Sequence, residues 1–218
     1  MFSYILFDLD GTVSDPKAGI TGSVQYALHA LGIEEPDLDR LEPFIGPPLR
    51  DSFQEYYNLN EEQTEFAVKK YRERFCAKGI YENILYPGMK ELLNRLKESG
   101  CHLAVESSKL EVSVTEILRY FAIGDCFEVT VGSEPDGRRS KKEEVVEEAL
   151  HRFFTDGKIP FDDIVMVGDR KFDIVGGKEY GLHQIGVTYG YAPEGELEEA
   201  GAEYLAHSVE ELGRILLG

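Results

Sequence analysis

Three short stretches concentrate the residues that can do chemistry: Asp8-Leu9-Asp10-Gly11-Thr12, Ser107-Ser108-Lys109 and Gly168-Asp169-Arg170-Lys171-Phe172-Asp173. Each follows an apolar run, and Lys142, opening a helical pattern, can approach from the same side. Carboxylates and hydroxyls are hard oxygen donors, and with few nitrogens or thiolates beside them they suit Mg²⁺ better than Zn²⁺. Clustered carboxylates repel one another, and a divalent cation relieves the repulsion. A carboxylate facing a metal-bound phosphoryl group can act as a nucleophile and pass through an aspartyl-phosphate. Ser and Lys then hold the equatorial oxygens as charge spreads over them. Each motif alone has a plainer explanation. Asp-Gly is a turn signal, acids favour helix N-termini, and Ser is a common N-cap. Their joint occurrence after apolar runs favours the chemical reading.

The elements that must position these residues follow from the apolar pattern. Tyr4-Ile5-Leu6-Phe7 reads as a fully buried strand, as do Leu103-Ala104-Val105, Phe127–Val131, Ile164-Val165-Met166-Val167 and Gln184-Ile185-Gly186-Val187. Helical patterns lie between them at roughly 88–99, 110–121, 141–154 and 171–181. A last strand after Gly201 and a helix from about Ser208 close the series. Strands alternating with helices imply a parallel sheet covered on both faces, with ligands gathering beyond the carboxyl ends of the strands.

Residues 16–82 break that rhythm with helical patterns near 17–31, 49–57 and 61–78 and no buried strand. Asp15 is expected to cap the first helix with Pro16 in its first turn, Gly32 to stop it, and Asn60 and Gln63 to form a capping box. Phe44-Ile45-Gly46-Pro47-Pro48 reads as a stiff loop, and Tyr86-Pro87-Gly88 marks the return to the sheet. This is the pattern of an all-helical lid inserted after the first strand.

The 218 residues, with 42% hydrophobic and 29% charged, match ordinary globular composition rather than a disordered chain. A formal charge of −18 disfavours nucleic acid and anionic membranes as partners, and would repel an anionic substrate unless a cation intervened. No apolar run approaches the roughly 18 residues of a membrane span. The N-terminus lacks a basic region and meets Asp8 too early for a signal peptide. Cys76, Cys101 and Cys126 form no CxxC, the five histidines show no ligand spacing, and neither GxxxxGK[ST] nor GxGxxG occurs. The expectation is a soluble, reduced, cytoplasmic protein. Lys69, Lys70, Arg72 and Arg74 read as a solvated helix face.

With these motifs in this order, the chain resembles a haloacid dehalogenase superfamily hydrolase over nearly its whole length. Phe44-Ile45-Gly46-Pro47-Pro48-Leu49 and Gly168-Asp169-Arg170-Lys171-Phe172-Asp173-Ile174 make it similar to bacterial phosphoglycolate phosphatases and their 5′-nucleotidase relatives. The resemblance implies an α/β fold: a Rossmann-like parallel sheet with helices on both faces, plus a small helical cap. Residues 1–15 and 83–218 would form the catalytic core and 16–82 the cap. It implies that Asp8 attacks phosphorus, and that Asp10 protonates the leaving oxygen and later activates water. Ser107 and Lys142 would grip the phosphoryl group. Asp8, the Asp10 carbonyl, Asp169 and Asp173 (directly or through water) would bind Mg²⁺. Lys142 is preferred to the adjacent Lys141, because Glu143-Glu144-Val145-Val146 fits relatives lacking a proline after this lysine.

Glu106 stands where the family usually has a small or apolar residue, so it either points away into a salt bridge or perturbs the site. Arg170 and Lys171 either add positive potential nearby or serve as surface. In the cap, Gly46, Pro47, Pro48 and Arg50 are candidates to face the substrate, while Tyr56, Tyr57, Phe66, Tyr71 and Phe75 are expected to form its small core. A closing cap would exclude water and read the leaving group. The implied activity is a Mg²⁺-dependent phosphomonoesterase acting on a small phosphorylated metabolite, phosphoglycolate or a nucleoside 5′-monophosphate. A β-phosphoglucomutase-like phosphomutase, a pyrophosphatase and a non-catalytic phosphometabolite sensor stay open as alternatives. Dehalogenation has no use for an acid at position 10. Oligomeric state is not legible.

Overall fold

The computed structural model describes residues 2–218. The chain divides into two compact units, one running to Asp15 and resuming over Leu85–Gly218, the other Pro16–Ile84. In chain order the elements are β1 (Tyr4–Asp8), β2 (Ser14–Asp15), α1 (Lys17–Ala30), α2 (Leu49–Tyr57), α3 (Glu61–Ala77), β3 (Ile84–Leu85), α4 (Met89–Glu98) and β4 (His102–Leu110). There follow α5 (Glu111–Tyr120), β5 (Val129–Ser133), α6 (Lys142–Phe153), β6 (Ile164–Gly168), α7 (Lys171–Glu179), β7 (His183–Val187), α8 (Glu196–Ala200), β8 (Tyr204–Ala206) and α9 (Val209–Leu217).

Six strands form one sheet in the order β5-β4-β1-β6-β7-β8, with every pairing parallel. This is the α/β core expected from the alternating pattern. The central strands are apolar on both faces because both are covered: Ile5, Leu6 and Phe7 of β1 and Ile164 to Val167 of β6 are all fully buried. On one face Val145, Val146, Ala149 and Leu150 of α6 pack with Leu6, Ala104, Val131 and Met166. After β1 the sheet grows first through β4 and β5 on one side, then through β6, β7 and β8 on the other. The strand order therefore reverses about β1, and the crevice beyond its carboxyl end is where such sheets place ligands.

Strand bounds depart most from the apolar pattern in β4 and β5. β4 runs on to Leu110, four residues past its last fully apolar triplet's neighbour Glu106, and its register with β5 shifts between Glu106 and Leu110. β5 begins at Val129 rather than Phe127, because Phe127 follows a short 3₁₀ turn, Gly124–Cys126.

In the helical unit α1 ends as expected: the Gly32 amide donates to the His29 carbonyl at 2.9 Å and the Ile33 amide to that of Leu28 at 3.0 Å. The Asn60–Gln63 capping box is present in both directions, each bond 3.0 Å. The start of α1 corrects the expectation. Pro16 itself occupies the N-cap position without a side-chain bond, and the Asp15 carboxylate instead accepts from the Tyr191 hydroxyl. The aromatic core is also partly different. Tyr71 and Phe75 are buried and stacked at 5.3 Å, but Tyr56 and Phe66 are about two-fifths exposed, 43% and 40%. Phe44 and Phe53 take their place, edge to face at 5.0 Å, because a 3₁₀ segment over Leu38–Phe44 turns Phe44 inward. On the basic face Lys70 pairs with Glu73 and Arg74 with Glu82. Among the described residues no helix is long and apolar enough to cross a membrane.

Candidate active site

The carboxyl ends of β1, β4 and β6 and the first turn of α6 meet at one place. Asp8 closes β1 and is the register partner of Glu106 on β4. Asp169 follows the last residue of β6, and Asp173 lies in the first turn of α7. Lys142, first residue of α6, is buried among them. Its ammonium lies 2.6 Å from Asp8 Oδ1, 2.8 Å from Asp173 Oδ1 and 3.1 Å from Glu106 Oε1. An ammonium has three protons, so each carboxylate takes one. Lys141 is exposed at the N-cap position outside this group.

Asp8, Asp169 and Asp173 each offer a carboxylate oxygen, all within 4.8 Å of one another and all buried. Asp169 Oδ2 accepts from the Tyr191 amide at 2.7 Å, while Asp169 Oδ1 is buried with no hydrogen-bond partner. A buried bare carboxylate oxygen is costly unless something binds it. An all-oxygen donor set with one such oxygen fits a hard divalent cation such as Mg²⁺. Gly11 is what allows the approach: it has φ of +83°, and a Cβ there would lie 2.1 Å from Asp169 Oδ2. Asp173 also keeps its structural duty, since its Oδ2 accepts from the Arg170 amide at 2.9 Å and caps α7.

Asp10 stands apart from this cluster. Its Oδ2 meets the Lys109 ammonium at 3.0 Å, and its Oδ1 is buried without a partner. Ser107 is buried on β4, its Oγ accepting from the Lys109 amide at 3.2 Å. The register shift between Glu106 and Leu110 explains how Ser107 and Lys109 escape the regular ladder, as bulges near sites commonly do.

The electrostatics follow from burial and crowding. Burial pushes the Asp8 carboxyl up to about 7; Lys142 pulls it back, and Asp173 and Asp10 push further. Burial likewise raises Glu106 to about 8, against the pull of Lys142. Asp169 lies well above the usual carboxylate range, from burial first and then from Asp173 and Asp8. Burial alone would lower Lys142, but Asp173, Asp8 and Glu106 together hold it well above its ordinary value. The site is a carboxylate-rich pocket with less positive charge than it needs.

The structure thus brings Asp8, Asp169, Asp173 and Lys142 together, with Asp10 and Ser107 on the adjoining edge. Glu106 does not point away from the site: it is buried within it and pairs with Lys142 at 3.1 Å. Arg170 is held by Glu196 at 2.8 Å. Gly46, Pro47, Pro48 and Arg50 belong to the helical unit, where Arg50 pairs with Glu61 and Glu65. Two participants carried no assigned role in the sequence. Lys109 was visible in Ser107-Ser108-Lys109, next to a hydroxyl pair after a strand. The Tyr191 amide is a backbone group that no residue type announces.

Comparison with known proteins agrees with this geometry. Residues 5–187 match the model of a family described as haloacid dehalogenase-like hydrolase. A 5′-nucleotidase of Pseudomonas aeruginosa is 47% identical over 193 residues, 88% of this chain and 86% of that protein. The tyrosine-protein kinase PtkA of Mycobacterium tuberculosis is 34% identical over 204 residues, 94% of this chain and 68% of that protein. A crystal structure described as a predicted phosphatase from Clostridium acetobutylicum superimposes with a TM-score of 0.93 at 44% identity, covering 100% of this chain and 99% of the other. The sheet order, the strand-end acids and these likenesses agree, and the chain belongs to the haloacid dehalogenase-like hydrolase family.

Proposed function

We propose that this haloacid dehalogenase-like phosphatase is a Mg²⁺-dependent phosphomonoesterase that works through an aspartyl-phosphate on Asp8. Its substrate is a small phosphorylated metabolite, with a nucleoside 5′-monophosphate first and phosphoglycolate second. The observation that carries the reading is the Asp8 carboxylate, held at 2.6 Å by Lys142 within a buried three-aspartate cluster. The order of the two substrates rests on the likeness to the Pseudomonas aeruginosa 5′-nucleotidase.

In this reading Asp8, Asp169 and Asp173 hold the cation, together with the Asp10 carbonyl that the family resemblance adds. The bound ion supplies the positive charge that lets a phosphate dianion approach these acids. Asp8 attacks phosphorus from the end of β1, forming an acyl phosphate as the ester P–O bond breaks. Lys142, anchored by Glu106, steadies Asp8 and the phosphoryl oxygens, and Ser107 binds a further oxygen. Asp10 gives its proton to the leaving alkoxide. It then takes one from the water that attacks the acyl phosphate, so each turnover returns both acids to their starting state. Selection of the leaving group falls to the helical unit, as the family resemblance implies.

The test is phosphate release from a panel of nucleoside 5′-monophosphates, phosphoglycolate, sugar phosphates and pyrophosphate, with Mg²⁺ and with chelator. Metal-dependent, saturable release from a monoester is the expected result. Interconversion of sugar phosphates without net release, or tight binding without turnover at any Mg²⁺ concentration, would contradict it.

A further inference from the structure

The carboxylate cluster is gripped by a segment outside the chemical motifs, Thr188-Tyr189-Gly190-Tyr191, which follows β7. The Tyr191 amide donates to Asp169 Oδ2 at 2.7 Å. Gly190 approaches so closely that a Cβ would lie 2.4 Å from Asp169 Cβ and 2.5 Å from the Gly11 carbonyl oxygen. The phenols fasten the segment to the chain just beyond Asp10. The Tyr189 hydroxyl donates to the Thr12 carbonyl at 3.0 Å, and the Tyr191 hydroxyl donates to the Asp15 carboxylate. Tyr86 closes the clasp, its hydroxyl donating to the Tyr189 carbonyl at 3.4 Å and its ring meeting that of Tyr189 edge-on at 4.8 Å. Burial raises both Tyr86 and Tyr189, which keeps these phenols protonated as donors.

We propose that Tyr189-Gly190-Tyr191 is a positioning strap for the metal site, orienting Asp169 so that one carboxylate oxygen is tied to the chain and the other stays bare. The proposal rests on the reading of Asp8, Asp169 and Asp173 as cation ligands. A carboxylate anchored through one oxygen has lost its rotational freedom before the ion arrives, so binding pays less ordering entropy. Any residue but proline supplies the amide at 191. What the sequence must specify is glycine at 190, for the close approach, and hydroxyls at 189 and 191, which hold the segment down. The strap binds Asp169 and the Thr12–Asp15 stretch at once, so its loss loosens both sides of the cation pocket.

The experiment is calorimetric titration of metal-free protein with Mg²⁺, with the metal-free melting curve as a control for folding. Gly190→Ala is expected to weaken Mg²⁺ by about 10- to 100-fold, the usual range for groups that orient a metal ligand. The Mg²⁺ concentration for half-maximal activity should rise in parallel, while kcat at saturating Mg²⁺ recovers to near the wild-type value. The double variant Tyr189→Phe/Tyr191→Phe should weaken Mg²⁺ by about tenfold. It decides the matter alone if Gly190→Ala fails to fold. Unchanged Mg²⁺ affinity in the folded variant overturns the proposal, as does lower metal-free stability with unchanged affinity. If wild-type protein and Asp169→Asn take up Mg²⁺ alike, the metal-site reading itself falls and the strap with it.

Discussion

Asp8 shares the ammonium of Lys142 with Asp173 and Glu106, whereas Asp10, two residues further on, meets the ammonium of Lys109 at 3.0 Å. The first setting is unbalanced: Asp8, Glu106, Asp169 and Asp173 are all buried, and Lys142 is the cation among them. The second is a close ion pair at the bulged end of β4. The difference separates two roles for two identical side chains. In the proposed mechanism an added cation would make Asp8 an available anion, and that same cation would bring a phosphoryl group to it. Asp10 meets a lysine of its own, and that separate setting is the one the proposed general acid and base would use.

The comparison breaks most severely at the nucleophile. Asp8→Asn is expected to lower kcat at least about 10⁴-fold and to leave no phosphoenzyme in quenched turnover samples. Asp10→Asn should cost about 10²- to 10⁴-fold on alkyl phosphates. With p-nitrophenyl phosphate, whose leaving group needs no proton, it should still show a burst of phosphoenzyme that then hydrolyses slowly. If both variants lost the burst, the division between the two acids would be wrong. Lys109→Met removes the partner of Asp10 and should slow turnover by about tenfold, the value of one charged hydrogen bond, while the burst survives.

Glu106 sharpens the comparison from the other side. Glu106→Gln keeps an acceptor for Lys142 and should retain kcat within about threefold, whereas Glu106→Ala leaves the ammonium unsupported and should lose about ten- to a hundred-fold. Equal losses in the two variants would show that shape rather than anchoring of Lys142 is at stake.

The smallest effect is on stability and pH. Metal-free, Asp8 at about 7 and Glu106 at about 8 retain protons that the unfolded chain releases near its ordinary values of 3.8 and 4.5. Between those limits the folded state binds more protons than the unfolded one, and the raised Asp169 acts in the same direction, so stability falls as pH rises. Lys142 does not reverse the sign, because its raised value makes a contribution fully present below 10.5. Melting scans of metal-free protein should therefore show Tm declining from pH 5 to pH 8, with a shallower decline in Glu106→Gln. Mg²⁺ at 100 times its Kd adds about 2.7 kcal/mol, or about 5–10 °C in Tm for a chain of this size. At one fixed Mg²⁺ concentration the gain should be larger at pH 8 than at pH 5, where protons compete for the carboxylates and raise Kd.

Much of the core and of the site was legible because it rests on short-range rules. An unbroken apolar run such as Tyr4–Phe7 must be buried on both faces, and the polar residue that ends it must sit at the sheet edge. Asp8, Asp169 and Asp173 were therefore placed near one another by their position after strands. Longer-range facts were not legible. The exchange of Phe44 and Phe53 for Tyr56 and Phe66 depends on how a 3₁₀ segment turns one ring, which periodicity does not report. Asp15 looked like a helix cap until a tyrosine 176 residues away claimed its carboxylate. The strand-end hydroxyls were found, but the register shift that frees Ser107 and Lys109 is a property of the β4–β5 pairing and not of either strand alone.

The central claim is that Asp8 takes the phosphoryl group while Lys142 and the neighbouring aspartates supply its setting. The most direct measurement is peptide mapping by mass spectrometry of enzyme quenched with acid during turnover of p-nitrophenyl phosphate with Mg²⁺, in the slow-hydrolysing Asp10→Asn variant. The account predicts one phosphoryl group, on the peptide containing Asp8 and assigned to its carboxylate. Turnover with no covalent phosphoryl group, or with the group on any other residue, would contradict it.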